Sequence, residues 1–146
     1  MKTKEKFYTE LTRFCAYRER CSREVEHKMN DMDVPENFRE GLLNQLKKER
    51  YLDDLRYAEQ YVKGKFNQKR WGRIKISYGL FQKGIPKAII DQALKQIDEE
   101  DYINTLNYLI DKQRPKIKAK NDFERSQKLK RFLQNKGYEM DYLWEI

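Results

Sequence analysis

The sequence predicts an all-α protein: an elongated, curved array of three tandem three-helix units, each helix-turn-helix-like in outline. Three observations carry that prediction. Only three Pro and six Gly among 146 residues leave little turn chemistry for a many-stranded β fold. Apolar residues recur at three- and four-residue spacing in segment after segment, as in helices buried on one face. The pattern also repeats. A shift of 51 residues lays Val34-Pro35 on Ile85-Pro86, Met29 on Leu80, Leu46 on Ile97 and Tyr51-Leu52 on Tyr102-Ile103. A shift of 53 lays Lys83-Gly84-Ile85 on Lys136-Gly137-Tyr138 and Leu80 on Leu133. The units are expected at residues 1–50, 51–100 and 101–146, the third cut short. A helical unit of about 50 residues buries little surface alone, so neighbours are expected to pack on one another.

In chain order, Phe7, Leu11, Phe14 and Cys15 form the stripe of a first helix within residues 3–20. Ser22 reads as the N-cap of the second, with Glu24 and Glu26 in its opening turn, where negative charge suits the helix dipole. In the middle unit Leu52, Leu55, Ala58, Tyr61 and Val62 make one stripe, opened by Asp53 and Asp54. A polar connection from Gly64 to Arg70 then leads to Trp71-Gly72. Ile76 and Leu80, with Ile74 and Tyr78 beside them, form the next stripe, ended by Lys83-Gly84 in the manner of a C-terminal glycine. Pro86 is expected at the first position of a helix carrying Ile89, Ile90, Ala93, Leu94 and Ile97, because its missing N–H costs nothing there. In the third unit Asn121 or Asp122 caps a helix bearing Phe123, Leu129, Phe132 and Leu133.

Composition removes several classes of function. The longest apolar runs are two or three residues, so no membrane span is expected, and no apolar stretch after Met1–Lys6 reads as a secretory signal. Cys15 and Cys21 cannot build a disulfide framework, nor a four-ligand zinc site with His27 alone. They read as core-facing thiols of a cytoplasmic protein, and His27 as a solvated helix residue. No glycine-rich phosphate loop or Walker lysine occurs. Asp53-Asp54, with Asp91 and the acids from Asp98 to Asp101, invites a Mg²⁺-nuclease reading. Adjacent helix residues point about 100° apart, however, and a first-turn Asp pair serves the cap and the dipole. No catalytic residue, metal or cofactor is therefore assigned.

The basic residues are more informative. The chain carries 32 Lys+Arg against 24 Asp+Glu, a formal charge of +8. Residues 63–87 hold eight cations and no acid, and residues 112–136 hold ten cations against Asp122 and Glu124, so each stretch carries +8 by itself. The two occupy equivalent places in successive units and, with regular stacking, form one positive stripe suited to phosphates or an acidic protein groove. Trp71, Tyr78 and Phe66 interleave with these cations as candidates for stacking on bases, but packing is the better account of them, since Trp71 directly precedes a helix start that has to be anchored. The nominated contact residues are Lys63, Lys65, Lys69, Arg70, Arg73, Lys75, Lys118, Lys120, Arg125 and Lys128.

With these motifs in hand, the sequence resembles the RecX family of bacterial regulatory proteins. The resemblance rests on Tyr51-Leu52-Asp53-Asp54-Leu55-Arg56-Tyr57-Ala58, on Trp71-Gly72-Arg73-Ile74-Lys75-Ile76, and on Leu80-Phe81-Gln82-Lys83-Gly84-Ile85. Arg20-Cys21-Ser22-Arg23-Glu24-Val25 and Lys130-Arg131-Phe132-Leu133, continuing to Lys136-Gly137-Tyr138, extend it over about residues 10–146. Asn30 to Val34 departs from the pattern: a Gly is common at that turn, and an Asp adopts its geometry at some cost. The resemblance implies three tandem three-helix repeats and a non-enzymatic modulator of the RecA recombinase. Such a modulator binds the RecA–DNA filament and restrains its ATPase and strand exchange. It is expected to work as a monomer, with single- or double-stranded DNA as a further partner. The competing expectation is a stand-alone DNA-binding protein that places its helix-turn-helix-like units on the phosphate backbone.

Overall fold

In the computed structural model, residues 2–146 are described, and they form eight α-helices with no strand. Helices α1 (Lys4–Tyr17), α2 (Ser22–Asp31) and α3 (Glu36–Lys48) come first. Helices α4 (Asp54–Lys69), α5 (Arg73–Gln82) and α6 (Lys87–Leu94) come next. Then come α7 (Glu99–Gln113), a 3₁₀ turn (Arg114–Lys116), α8 (Asp122–Asn135) and a second 3₁₀ turn (Met140–Tyr142).

The repeat is clearest in the turn that ends the second helix of each unit. Val25, Met29 and Val34 are buried in the first unit, Ile76, Leu80 and Ile85 in the second, and Leu129, Leu133 and Tyr138 in the third. Each set has the same spacing. In each turn an N–H reaches back five residues: Val34 to the Met29 carbonyl (3.0 Å), Ile85 to Leu80 (3.1 Å) and Tyr138 to Leu133 (3.1 Å). The residue before it is left-handed in every case: Asp33 (φ 55°), Gly84 (φ 80°) and Gly137 (φ 98°). That is the Schellman closure, and Asp33 shows an aspartate taking the glycine position.

Four local expectations change. Cys21, not Ser22, is the N-cap of α2. The Glu24 carboxylate accepts from the Cys21 N–H (3.1 Å), while the Ser22 hydroxyl and N–H reach across to Asp54 at 2.6 and 2.8 Å. Pro86 is the N-cap of α6 rather than its first residue. Residues 64–69 are helix rather than connection, because burial of Phe66 extends the Ala58–Val62 stripe by one more turn. The fixed shift of 51 fails after α6. That helix has 8 residues where α3 has 13, so α7 enters early: its N-cap Asp98 lies 45 residues after Asp53. Tyr102 is therefore buried where Tyr51 is exposed, and Leu52 precedes α4 and packs with the first unit.

Two cores result. Phe7, Leu11, Met29, Leu42 and Leu46 belong to one that is closed by Leu52. The residues of α4 to α8 share a second, continuous core into which Cys21 also inserts. The cysteines are both free and buried, and burial raises both thiol pKa values. Leu80 is fully buried, whereas Ile89 is only partly so. Leu80→Ala is thus expected to lower unfolding stability by about 2–5 kcal/mol, and Ile89→Ala by distinctly less, in urea titrations followed by circular dichroism.

Candidate anion-binding cleft

Three helices end at the same place. Lys69 closes α4, Lys112 lies in the last turn of α7, and Lys136 caps α8. Together with Arg70 and Lys116 they line a cleft of about 200 Å³ whose remaining walls are Tyr108, Leu109, Gln113 and Phe132, with no carboxylate among them. Part of that positive charge answers the helix ends, since each carries roughly −0.5 of an elementary charge. Five full cations against three such ends still leave an excess of about +3 to +4, enough to attract phosphates.

The cations are ordered by aromatic rings. The Arg70 guanidinium lies 4.5 Å from the centre of the Tyr108 ring, and Lys112 donates to the Tyr108 hydroxyl at 3.2 Å. That hydrogen bond, together with the charges of Lys112 and Arg70, holds the Tyr108 phenol below the usual tyrosine range. Arg70 itself sits in the left-handed region (φ 56°) as the C-cap of α4, which turns the chain toward Trp71. Lys65 and Lys75 stand over the Trp71 ring at 4.8 and 4.5 Å.

The nominated cations therefore divide. Lys69 and Arg70 enter the cleft, and Lys65 and Lys75 flank Trp71 at the residue after Arg70. Lys63 lies apart, in a depression it shares with Asp98 and Asp101. Lys118 and Lys120 are exposed on the segment before α8. Arg125 pairs with Asp122 (3.2 Å) and Lys128 with Glu124 (3.0 Å), both within one turn of α8. Lys112, Lys116 and Lys136 belong to the second basic stretch without standing out in it, and no sequence signal points to Tyr108. Phe66 is buried against Tyr102 (ring centres 5.9 Å apart), so it stacks on the core rather than on bases, while Tyr78 is exposed.

Arg73 is the nominated cation that turns inward. It stacks on the Tyr102 ring (3.9 Å) and donates to Glu139 (3.0 Å), the Tyr142 hydroxyl (3.0 Å) and Glu99 (2.8 Å). Its backbone N–H donates to the Tyr102 hydroxyl oxygen (3.0 Å), and the Tyr102 hydroxyl donates to Glu139. Burial works against the Arg73 charge, but the bonds to Tyr142, Glu99 and Glu139 together outweigh it and raise its pKa. Arg73 thus clamps α5 to α7 and to the 139–142 segment. Arg73→Gln is expected to cost on the order of 2 kcal/mol of stability, read by chemical denaturation, because it strands Glu139 beside a buried phenol.

The Asp pair of the nuclease reading is taken structurally. Asp53 caps α4 by accepting from the Arg56 N–H (3.0 Å), and Asp54 holds Ser22. Among the described residues no group of three or more His, Cys, Asp and Glu is placed to hold a metal ion, and no helix is long and apolar enough to cross a membrane.

Fold and cleft together define a tandem three-helix repeat protein with a cationic cleft at converging helix ends. Residues 53–94 match the family description "RecX, second three-helix domain", and residues 99–145 match "RecX, third three-helix domain". The regulatory protein RecX of Oceanobacillus iheyensis is 30% identical over 137 residues, which cover 94% of this chain and 50% of that protein. The regulatory protein RecX of Clostridium tetani is 35% identical over 126 residues, covering 84% of this chain and 55% of that one. The crystal structure of RecX from Lactobacillus salivarius superposes with a TM-score of 0.90 at 26% identity, covering 96% of this chain and 91% of that chain. The chain belongs to the RecX family. It spans about half the length of those two sequence relatives.

Proposed function

We propose that this protein is a non-enzymatic regulator that binds the RecA–DNA filament and restrains its ATPase and strand exchange. Membership of a family of regulatory proteins supports the reading, and the acid-free cleft of Lys69, Arg70, Lys112, Lys116 and Lys136 carries its physical part. A filament offers phosphates and acidic protein surface at regular intervals, and converging helix ends carrying cations are complementary to both. The protein acts as a monomer in the cytoplasm and needs no cofactor.

The test is co-sedimentation with RecA–DNA filaments and with the same DNA alone, combined with phosphate release from ATP. Preferential pelleting with filaments and slowed hydrolysis at stoichiometric protein are expected. Unchanged hydrolysis would count against the reading. Binding naked DNA at physiological salt as tightly as the filament would instead favour a stand-alone DNA-binding protein.

A further inference from the structure

A second positively lined cavity lies far from the α4–α7–α8 cleft in sequence, between the first unit and the turn after α5. It has a volume of about 400 Å³, within the range of small-molecule pockets. Its floor is Arg20, which is only 8% exposed. The guanidinium is stacked on the Phe14 ring at 3.7 Å, and its Nε donates to the Phe14 carbonyl at 2.9 Å. These contacts fix the plane and the back edge. The two η nitrogens have no hydrogen-bond partner and no carboxylate within ion-pair distance among the described residues, yet they are not sealed from solvent. Arg20 lines the cavity, and these two nitrogens are its free donors.

A guanidinium held this deep without an acid is a costly arrangement, and native interiors rarely leave one unanswered. The neighbouring acid does not answer it. Glu24 is engaged by Arg18 (2.7 Å) and by the Cys21 N–H (3.1 Å), and it lies in no ion pair with Arg20. Asp31 is the other acid of the lining and is likewise unpaired with Arg20. The remaining charges add to the attraction: Lys28, Lys83 and Arg23 also line the cavity, and Arg23 is anchored by donating to the Gln82 carbonyl at 2.9 Å.

We propose that this cavity is a binding site for the phosphoryl group of a small phosphorylated ligand, with the η edge of Arg20 as its bidentate anchor. The forked donors of an arginine match an oxyanion, and a stacked guanidinium enters that bond already oriented. Several cations around one anchor favour a dianion over a carboxylate, because each of them gains from the second charge. The room left above Arg20 accommodates an organic body on the phosphate. The site joins α2 to the α5–α6 turn, so an occupant ties the first unit to the second.

The probe is inorganic phosphate, titrated into the full chain while the side-chain ¹⁵N signals of the arginines are monitored by NMR, with acetate and single-stranded DNA as parallel arms. Phosphate is expected to shift the Arg20 signals saturably and acetate to bind about tenfold more weakly. Arg20→Lys, which keeps the charge but loses the fork, is expected to weaken phosphate binding about tenfold. Should that variant fail to fold, Lys28→Gln with Lys83→Gln, the first half-buried and the second exposed, is expected to weaken it by severalfold. Lys112→Gln with Lys116→Gln is expected to leave the Arg20 response in place, which separates this site from the other cleft. Absence of a saturable Arg20 shift, equal affinity for acetate, a response to DNA alone, or unchanged binding in both site variants each overturns the proposal.

Discussion

Gly72→Ala is expected to destabilise the protein by about 3–5 kcal/mol, among the largest effects of any single methyl group in the chain. Gly72 has an ordinary backbone (φ −79°), so the cost does not come from strain in its own dihedrals. It comes from the backbone packed against it. A Cβ there would sit 2.4 Å from the Gly137 carbonyl carbon and oxygen and 2.6 Å from the Tyr138 nitrogen, all of them backbone atoms that no rotamer change moves. The two segments touch because they are bonded: the Gly72 N–H donates to the Lys136 carbonyl (2.7 Å) and the Ile74 N–H to the Gly137 carbonyl (2.9 Å). Separating them to admit a methyl breaks both bonds in a buried place, at about 0.5–1.5 kcal/mol each, and loosens the Tyr102–Tyr138 contact beside them. Urea denaturation checks this, with Gly64→Ala as the control: nothing lies within 4 Å of the Cβ it would add. Equal midpoints for the two variants would falsify the close approach as a stabilising contact.

The second large effect concerns binding. Reversing Lys69, Lys112 and Lys116 to Glu is expected to weaken filament binding on the order of 100-fold while helix content stays near wild type. Each charge removed from a phosphate contact on duplex DNA also flattens the salt dependence by about 0.9, so the slope of log affinity against log salt should fall by about 2–3. The three lysines are exposed, and their stability contribution is confined to the helix ends, about 0.3–1 kcal/mol apiece. Arg73 is left out of the set. Reversing it would break the clamp between α5, α7 and Glu139, and lost binding would then report unfolding. Full binding by the triple variant at every salt concentration would remove the cleft from the interface.

Much of this molecule was legible from residue order alone. Helical periodicity, the Lys83-Gly84 and Lys136-Gly137 turns and the helix starts at Asp53-Asp54 and Asn121-Asp122 are local features, decided within about one turn of the chain, and a one-dimensional pattern records them. The same holds for the two acid-poor stretches and for the family resemblance they accompany. Local context also explains the small errors. A hydroxyl at Ser22 looks like a cap until Asp54, thirty-two residues away, takes it. Gly64 looks like a break until Phe66 has a core to fill.

What the tertiary structure alone decided is which charges share a space. Arg73, Lys69 and Lys116 are all cations of the two basic stretches, yet one braces the interior and two face a common cleft, because direction is set by the crossing of α4, α7 and α8. The merging of the second and third units into one core, the backbone crossing at Gly72 and the unanswered guanidinium of Arg20 belong to the same class. The sequence by itself determined the helices, their turns and the sum of the charge. Only packing determined where that charge points, since Coulomb energy and sterics depend on distances through space that the order of residues does not contain.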